Sequence, residues 1–445
     1  MPHDPSVYRD LAERSWAWVL TNVRTDGDDL WLPETPVQGE PGEYPYGMHS
    51  GVGGLAHVLA EIRLTRELTS GELRLAHGIA DTVERRIPAE TEHDYFDGLT
   101  STIGILLALD GAGSEPAVAR LRELATTDGW QPSWIGPPRA VAEGRCNDAT
   151  LGNAAVLLGA LWALRYGVHG AAGLAQQAAD IVLAEREEVP TGLDWLFVPR
   201  RYLVEARGEM PNWSHGLAGI AGSLAAAGVA LGRPELTDAA RLGAEHLVSL
   251  ADTSDGGMRV AHVIPDQEDL DTFTYTWCHG PAGTSLLFAG LSHAGVTSVA
   301  GRTPYDWERA CLHSLKVSGI PERRYPGFWD NDGRCCGTAR TTTSCSRRRS
   351  PTRSSTVRSP TETTSTGASS SIATRTRSSR RGPATCRAPP ASRRTCSGSP
   401  GCCSRAAPPR PSRAWTPGGR CPSPGAALGL VVELVGTLVR RTPPV

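Results

Sequence analysis

The chain has 445 residues, 40% hydrophobic and 21% charged, proportions that exclude a collagen, a wholly disordered protein and a small disulfide scaffold. Its formal net charge of -2 hides a division: residues 341–445 hold 18 arginines and two acidic residues, a net of +16, so residues 1–340 carry −18. No run of about 18 apolar residues occurs, so no stable membrane insertion is expected. The first residues lack the basic-then-apolar pattern of an export signal, and the expected location is the cytoplasm, with its cysteines reduced.

In chain order, residues 6–20 (SVYRDLAERSWAWVL) have apolar positions three and four apart, which predicts an amphipathic helix. GVGG at 51–54 then opens the apolar run LAHVLAEI, and SGELRLAHGIADTVERRI at 70–87 is amphipathic again. STIG at 101–104 leads into ILLALD, and ATLG at 149–152 into NAAVLLGALWAL. The amphipathic GAAGLAQQAADIVLAERE follows at 170–187. GLAG at 216–219 leads into IAGSLAAAGVAL, PELTDAARLGAEHLVSL at 234–250 is amphipathic, and GPAG at 280–283 leads into TSLLFAGL.

A small residue, two further residues, a glycine and an apolar helix therefore recur every 48 to 67 residues. An outer amphipathic helix alternates with an inner helix that is apolar all round. Closed into a ring, such hairpins predict an all-α fold, an α/α toroid over residues 1–340. The inner helices should begin on one face, and the residues before each glycine motif should face a central cavity.

Those positions hold His49, Asp97, Asp148 with Cys146, His215, Cys278 with His279, and the pair Cys335–Cys336. Thiolates suit zinc in four-coordinate geometry. Cys278, Cys335 and Cys336 would supply three ligands and leave one position open; as buried small hydrophobes they would need no metal. His215 is a candidate acid or base, or a histidine with a structural hydrogen bond. Asp148 is a candidate partner for it, or an ordinary helix cap. Trp213, Trp277 and Trp329 either wall the cavity or fill the core.

SHGLAG, WCHGPAG and CCGTA, in this order on glycine-led helices, resemble the lanthionine synthetase C-like family from Tyr44 to Ala339. The resemblance implies a toroid of seven hairpins around a Zn2+ ion. It also implies addition of a peptide cysteine thiol to dehydroalanine or dehydrobutyrine, forming a thioether. By position it makes Cys278, Cys335 and Cys336 the zinc ligands, with Cys336 where many members have histidine. It makes His215 the acid or base and Asp148 a catalytic aspartate. Thr274 stands where many peptide cyclases carry arginine, which leaves open the addition of a small thiol such as glutathione. The partners implied are a peptide bearing dehydroamino acids and a separate dehydratase, with no nucleic acid. A catalytically inactive peptide-binding toroid is the non-enzymatic alternative. A carbohydrate-active toroid would call for paired carboxylates, with only Asp97 and Asp148 on offer.

The repeat breaks immediately after Ala339. From Thr341 to about Arg420, Arg, Ser, Thr and Pro dominate almost without periodicity, too little apolar surface to fold alone. A disordered basic tail after an incomplete toroid is expected. Because the break falls inside a repeat, a change of reading frame near residue 340 is the favoured origin of residues 341–445.

Overall fold

The computed structural model describes residues 4–319, apart from 34, 36, 110–112, 206–207 and 268–270. All of them fall in one compact unit. The sequence beyond residue 319, including Trp329, Cys335, Cys336 and the arginine-rich segment, lies outside the described residues.

Helix α1 (Pro5–Asn22) is followed by a short antiparallel hairpin of β1 (Arg24–Asp26) and β2 (Asp29–Trp31). Five helix pairs then succeed one another: α2 (Gly54–Arg63) with α3 (Ser70–Arg86), and α4 (Leu99–Leu109) with α5 (Glu115–Leu124). After these come α6 (Asn153–Arg165) with α7 (Ala171–Ala184), α8 (Leu217–Leu231) with α9 (Pro234–Ser249), and α10 (Pro281–His293) with α11 (Pro304–Val317). A second antiparallel hairpin, β3 (Glu187–Val189) and β4 (Gly192–Asp194), lies between α7 and α8.

The first member of each pair packs against the first member of the next, giving an inner row α2–α4–α6–α8–α10. Each is backed by the second member of its own pair, so the outer row shields the inner one. Composition follows position. The inner helices α4, α6, α8 and α10 are buried on nearly every side, whereas α3, α5, α9 and α11 bury one stripe. This two-layered arc is the α/α toroid architecture that the repeat predicts. Helix α1 is fastened from outside: Glu72 of α3 accepts from Trp16 Nε1 at 2.7 Å and from both terminal nitrogens of Arg66 at 2.8 Å. The guanidinium holds this buried carboxyl well below the usual carboxylate range.

The recurring glycine has a steric cause. A Cβ at Gly54, Gly152, Gly219 or Gly283 would collide with the carbonyl oxygen six residues earlier, on Met48, Cys146, Trp213 and Trp277 respectively. The chain before each of these helices therefore folds back over the helix start, with backbone filling the space of a missing side chain. That fold-back carries His49, Cys146, Asp148, His215, Cys278 and His279, which explains why each lies only a few residues ahead of its glycine.

Candidate functional site

The fold-back loops are sewn together in chain order. Met48 N donates to Phe96 O at 2.9 Å, joining the α2 and α4 loops. Tyr95 N donates to Thr150 O at 2.7 Å, joining the α4 and α6 loops. Thr150 Oγ1 lies 3.2 Å from Ser214 Oγ, joining the α6 and α8 loops. Ser214 N donates to Cys278 O at 2.9 Å, joining the α8 and α10 loops. The belt brings Asp148, His215 and the Cys278 loop onto one face.

Asp148 is fully buried. Its Oδ1 accepts from Thr150 N at 2.5 Å, Thr150 Oγ1 at 2.7 Å and Leu151 N at 2.7 Å. Its Oδ2 faces His215 Nδ1 at 2.5 Å. With Nδ1–H donated to a carboxylate, the lone pair of the imidazole sits on Nε2, the arrangement of an oriented base. The His215 side chain retains 20% exposure, so a substrate has access to the ring.

Two further imidazoles adjoin it. The ring of His279 lies 5.1 Å from that of His215, and the ring of His262 lies 4.3 Å from that of His279. Burial, then the neighbouring His215 and His262, push His279 down to about 3, so it is neutral across the physiological range. Its buried Nδ1 has no hydrogen-bond partner among the described residues. Phe197 meets His215 edge-on at 5.8 Å, and the half-exposed Trp134 stacks on Phe197 at 5.9 Å. These rings give the site an apolar wall.

Cys278, at the N-terminal side of α10, is partly exposed. Among the described residues no group of three or more His, Cys, Asp or Glu side chains is arranged to hold a metal ion. Cys278 fits zinc by its donor chemistry, as one soft ligand. The other two expected donors, Cys335 and Cys336, lie outside the described residues.

The remaining sequence candidates separate. Asp97 accepts from Ser50 N in the α2 loop, and burial together with nearby Asp94 pushes it up to about 6. His49 packs on Phe96 at 4.8 Å. Among the described residues, Asp97 makes no hydrogen bond to the Asp148–His215 pair. Cys146 is fully buried, and burial pushes its thiol up, which suits packing and not reactivity. Trp213 is buried against Gly222 and Gly283 and belongs to the core, whereas Trp277 is partly exposed and meets Phe96 edge-on at 6.3 Å. Sequence reasoning missed Thr150, Ser214, Phe197, Trp134 and His262. Only Thr150 and Ser214 carried a signal, since they lie within or beside the glycine motifs.

One buried histidine of the α4 loop gives the fold a pH dependence. His93 is 1% exposed, neither ring nitrogen has a partner among the described residues, and burial pushes it down to about 4. Between an unfolded value near 6.5 and about 4, the unfolded chain binds a proton that the native state does not. Stability is therefore lost as pH falls through that window, by up to about 3 kcal/mol from this group. Asp97, pushed up to about 6, acts with the opposite sign, losing stability as pH rises. The His93→Gln variant is expected to lose less stability than the unaltered chain between pH 7 and pH 4.5, measured as the shift of the urea midpoint. Equal losses in the two proteins would contradict this assignment.

The sequence model of the family described as lanthionine synthetase C-like protein matches residues 42–299, more than half of the chain. The match includes Asp148, His215 and Cys278 and stops short of Cys335 and Cys336. Among solved structures, nisin cyclase is similar, with a TM-score of 0.50 and 14% sequence identity, over 67% of this chain and 77% of that one. At that identity the likeness concerns the fold. No curated protein sequence matches the chain. No helix among the described residues is long and apolar enough to cross a membrane.

Proposed function

The chain belongs to the lanthionine synthetase C-like family, and from that premise we propose that it adds a cysteine thiol to a dehydroalanine or dehydrobutyrine residue of a peptide, closing a thioether. The observation that carries the reading is the buried Asp148 carboxylate holding His215 by Nδ1, on a loop whose neighbouring residue Ser214 is bonded to the backbone of Cys278. An oriented imidazole that can move a proton, with a soft metal donor on the adjoining loop, suits activation of a substrate thiol.

Cys278, Cys335 and Cys336 are the residues proposed to hold Zn2+. When bound, zinc stabilises a coordinated thiol as its anion and so supplies a nucleophile near neutral pH. The protein's own part is proton handling and orientation. His215 Nε2 takes the proton released from the substrate thiol. Sulfur then bonds to the β-carbon of the alkene, and the π electrons move onto the α-carbon and its carbonyl as an enolate. His215, now an imidazolium, returns the proton to the α-carbon. One C–S bond has formed, one C=C bond has become single, and the thiol proton has moved to carbon, so the sum is an isomerisation. Asp148 stabilises the charged imidazole between the two transfers and fixes its tautomer. The Phe197–Trp134 wall keeps water from the enolate and accepts apolar parts of the peptide. The substrate reaches this site already dehydrated, which calls for a separate dehydratase. A substrate thiol that must stay reduced suits a reducing compartment, and the cytoplasm is the proposed location.

The test is a synthetic peptide carrying one dehydroalanine and one cysteine, incubated with the purified chain and zinc. Ring closure leaves the mass unchanged, so the readout is loss of the alkylatable thiol by mass spectrometry. A parallel arm offers glutathione to a dehydroalanine peptide without cysteine. Thiol loss faster than the uncatalysed rate in the first arm is expected. No acceleration in either arm contradicts the reading, and acceleration in the second alone restricts it to small thiols.

A further inference from the structure

We infer that Thr150 is a positioning residue for the Asp148–His215 pair, a role that rests on the proposed thiol addition but has its own structural signature. Thr150 contributes two of the three donors on Asp148 Oδ1, its backbone N at 2.5 Å and its hydroxyl at 2.7 Å. With Leu151 N as the third, these donors fix the plane of the carboxylate and leave Oδ2 for His215. The same hydroxyl stands 3.2 Å from Ser214 Oγ, and Ser214 directly precedes His215.

Proton counting sets the direction of the chain of bonds. A threonine hydroxyl has one hydrogen, and Asp148 takes it. The Ser214 hydroxyl therefore donates to Thr150 Oγ1, Thr150 donates to Asp148 Oδ1, and His215 Nδ1 donates to Asp148 Oδ2. Thr150 thus holds the carboxylate and the histidine's loop at once, across 64 residues of sequence. Asp148 and Ser214 are 0% exposed and Thr150 is 2% exposed, so water does not substitute for these bonds. The branched Cβ of threonine restricts its side-chain rotation, which suits a residue that must aim one hydroxyl at two partners.

Thr150→Val keeps the shape and removes the hydroxyl, leaving Asp148 Oδ1 one donor short and the Ser214 hydroxyl without its acceptor. The expected effect is a fall in kcat for thioether closure of about 10–100-fold with little change in KM. Thr150→Ser restores the hydroxyl and is expected to recover most of the loss. Ser214→Ala breaks the same chain at its other end and should lower kcat in the same direction with a smaller step.

The second readout needs no turnover. In the full chain labelled with ¹⁵N-histidine, the Nδ1–H proton held by Asp148 should appear as a far-downfield resonance, assigned by its absence in His215→Asn. It should persist in Thr150→Ser and be displaced or lost in Thr150→Val. A Thr150→Val protein that keeps both this resonance and the unaltered kcat overturns the inference. If the unaltered chain closes no thioether but the resonance still depends on the Thr150 hydroxyl, the proposed reaction fails and the positioning role stands. If turnover is present and the resonance ignores Thr150, the reaction stands and the positioning role fails.

Discussion

Asp148→Asn is expected to lower turnover of thioether closure by about 10³–10⁴-fold while leaving the protein folded. Three donors converge on Oδ1, and an amide oxygen satisfies them as well as a carboxylate oxygen does. The Asn amide nitrogen is then forced into the place of Oδ2, facing His215 Nδ1. Being a donor, it requires Nδ1 to accept, so the imidazole proton moves to Nε2. The ring keeps its place and loses its function as a base. His215→Gln should cost a similar factor, and the double variant should be little worse than either single one, because the two residues act as a unit. The measurement is kcat and KM for the dehydroalanine–cysteine peptide, with the melting transition as the control for folding. A value for Asp148→Asn within threefold of the unaltered chain would remove the pair from the mechanism.

Cys278→Ala is expected to strip zinc from the purified protein and to abolish thiol addition. The variant should stay folded, because the bond that sews the α8 loop to the α10 loop uses the carbonyl of residue 278 and not its side chain. Alanine keeps that carbonyl and avoids leaving an unsatisfied hydroxyl, which serine would introduce. Zinc per chain, measured on protein purified without added metal, should fall from about one to near zero, since losing one of three protein ligands leaves too few for a stable site. Full zinc content in the variant would remove Cys278 from the ligand set.

The architecture was legible because the signals that build it are local. A glycine whose absent Cβ admits the carbonyl six residues earlier is visible as a motif, and an inner helix is visible as an apolar run. The two short strand pairs were not anticipated. They are three-residue arms around tight turns, with positive φ at Gly27 and at Gly192, too short for an alternating pattern to show. The short helix α5, with Pro116 in its first turn, likewise gave too few turns for periodicity.

At the site, motif offsets pointed to Asp148 and His215 separately, but their contact spans 67 residues and is a tertiary fact. The same holds for Thr150 with Ser214. His262 could not have been found, since nothing in RVAHVIP marks it before the fold sets its ring against His279. Trp213 was ambiguous between wall and core because both settings favour a large aromatic. Its close packing on Gly222 and Gly283 decides for the core.

In the proposed function, three sulfur atoms, one from the α10 loop and two from residues 335 and 336, hold one zinc ion. Zinc-edge X-ray absorption on the purified full chain tests it most directly. About one zinc per chain is expected, with three sulfur neighbours at about 2.3 Å and one lighter neighbour. A zinc surrounded only by nitrogen and oxygen, or a chain that takes up no zinc, would contradict it.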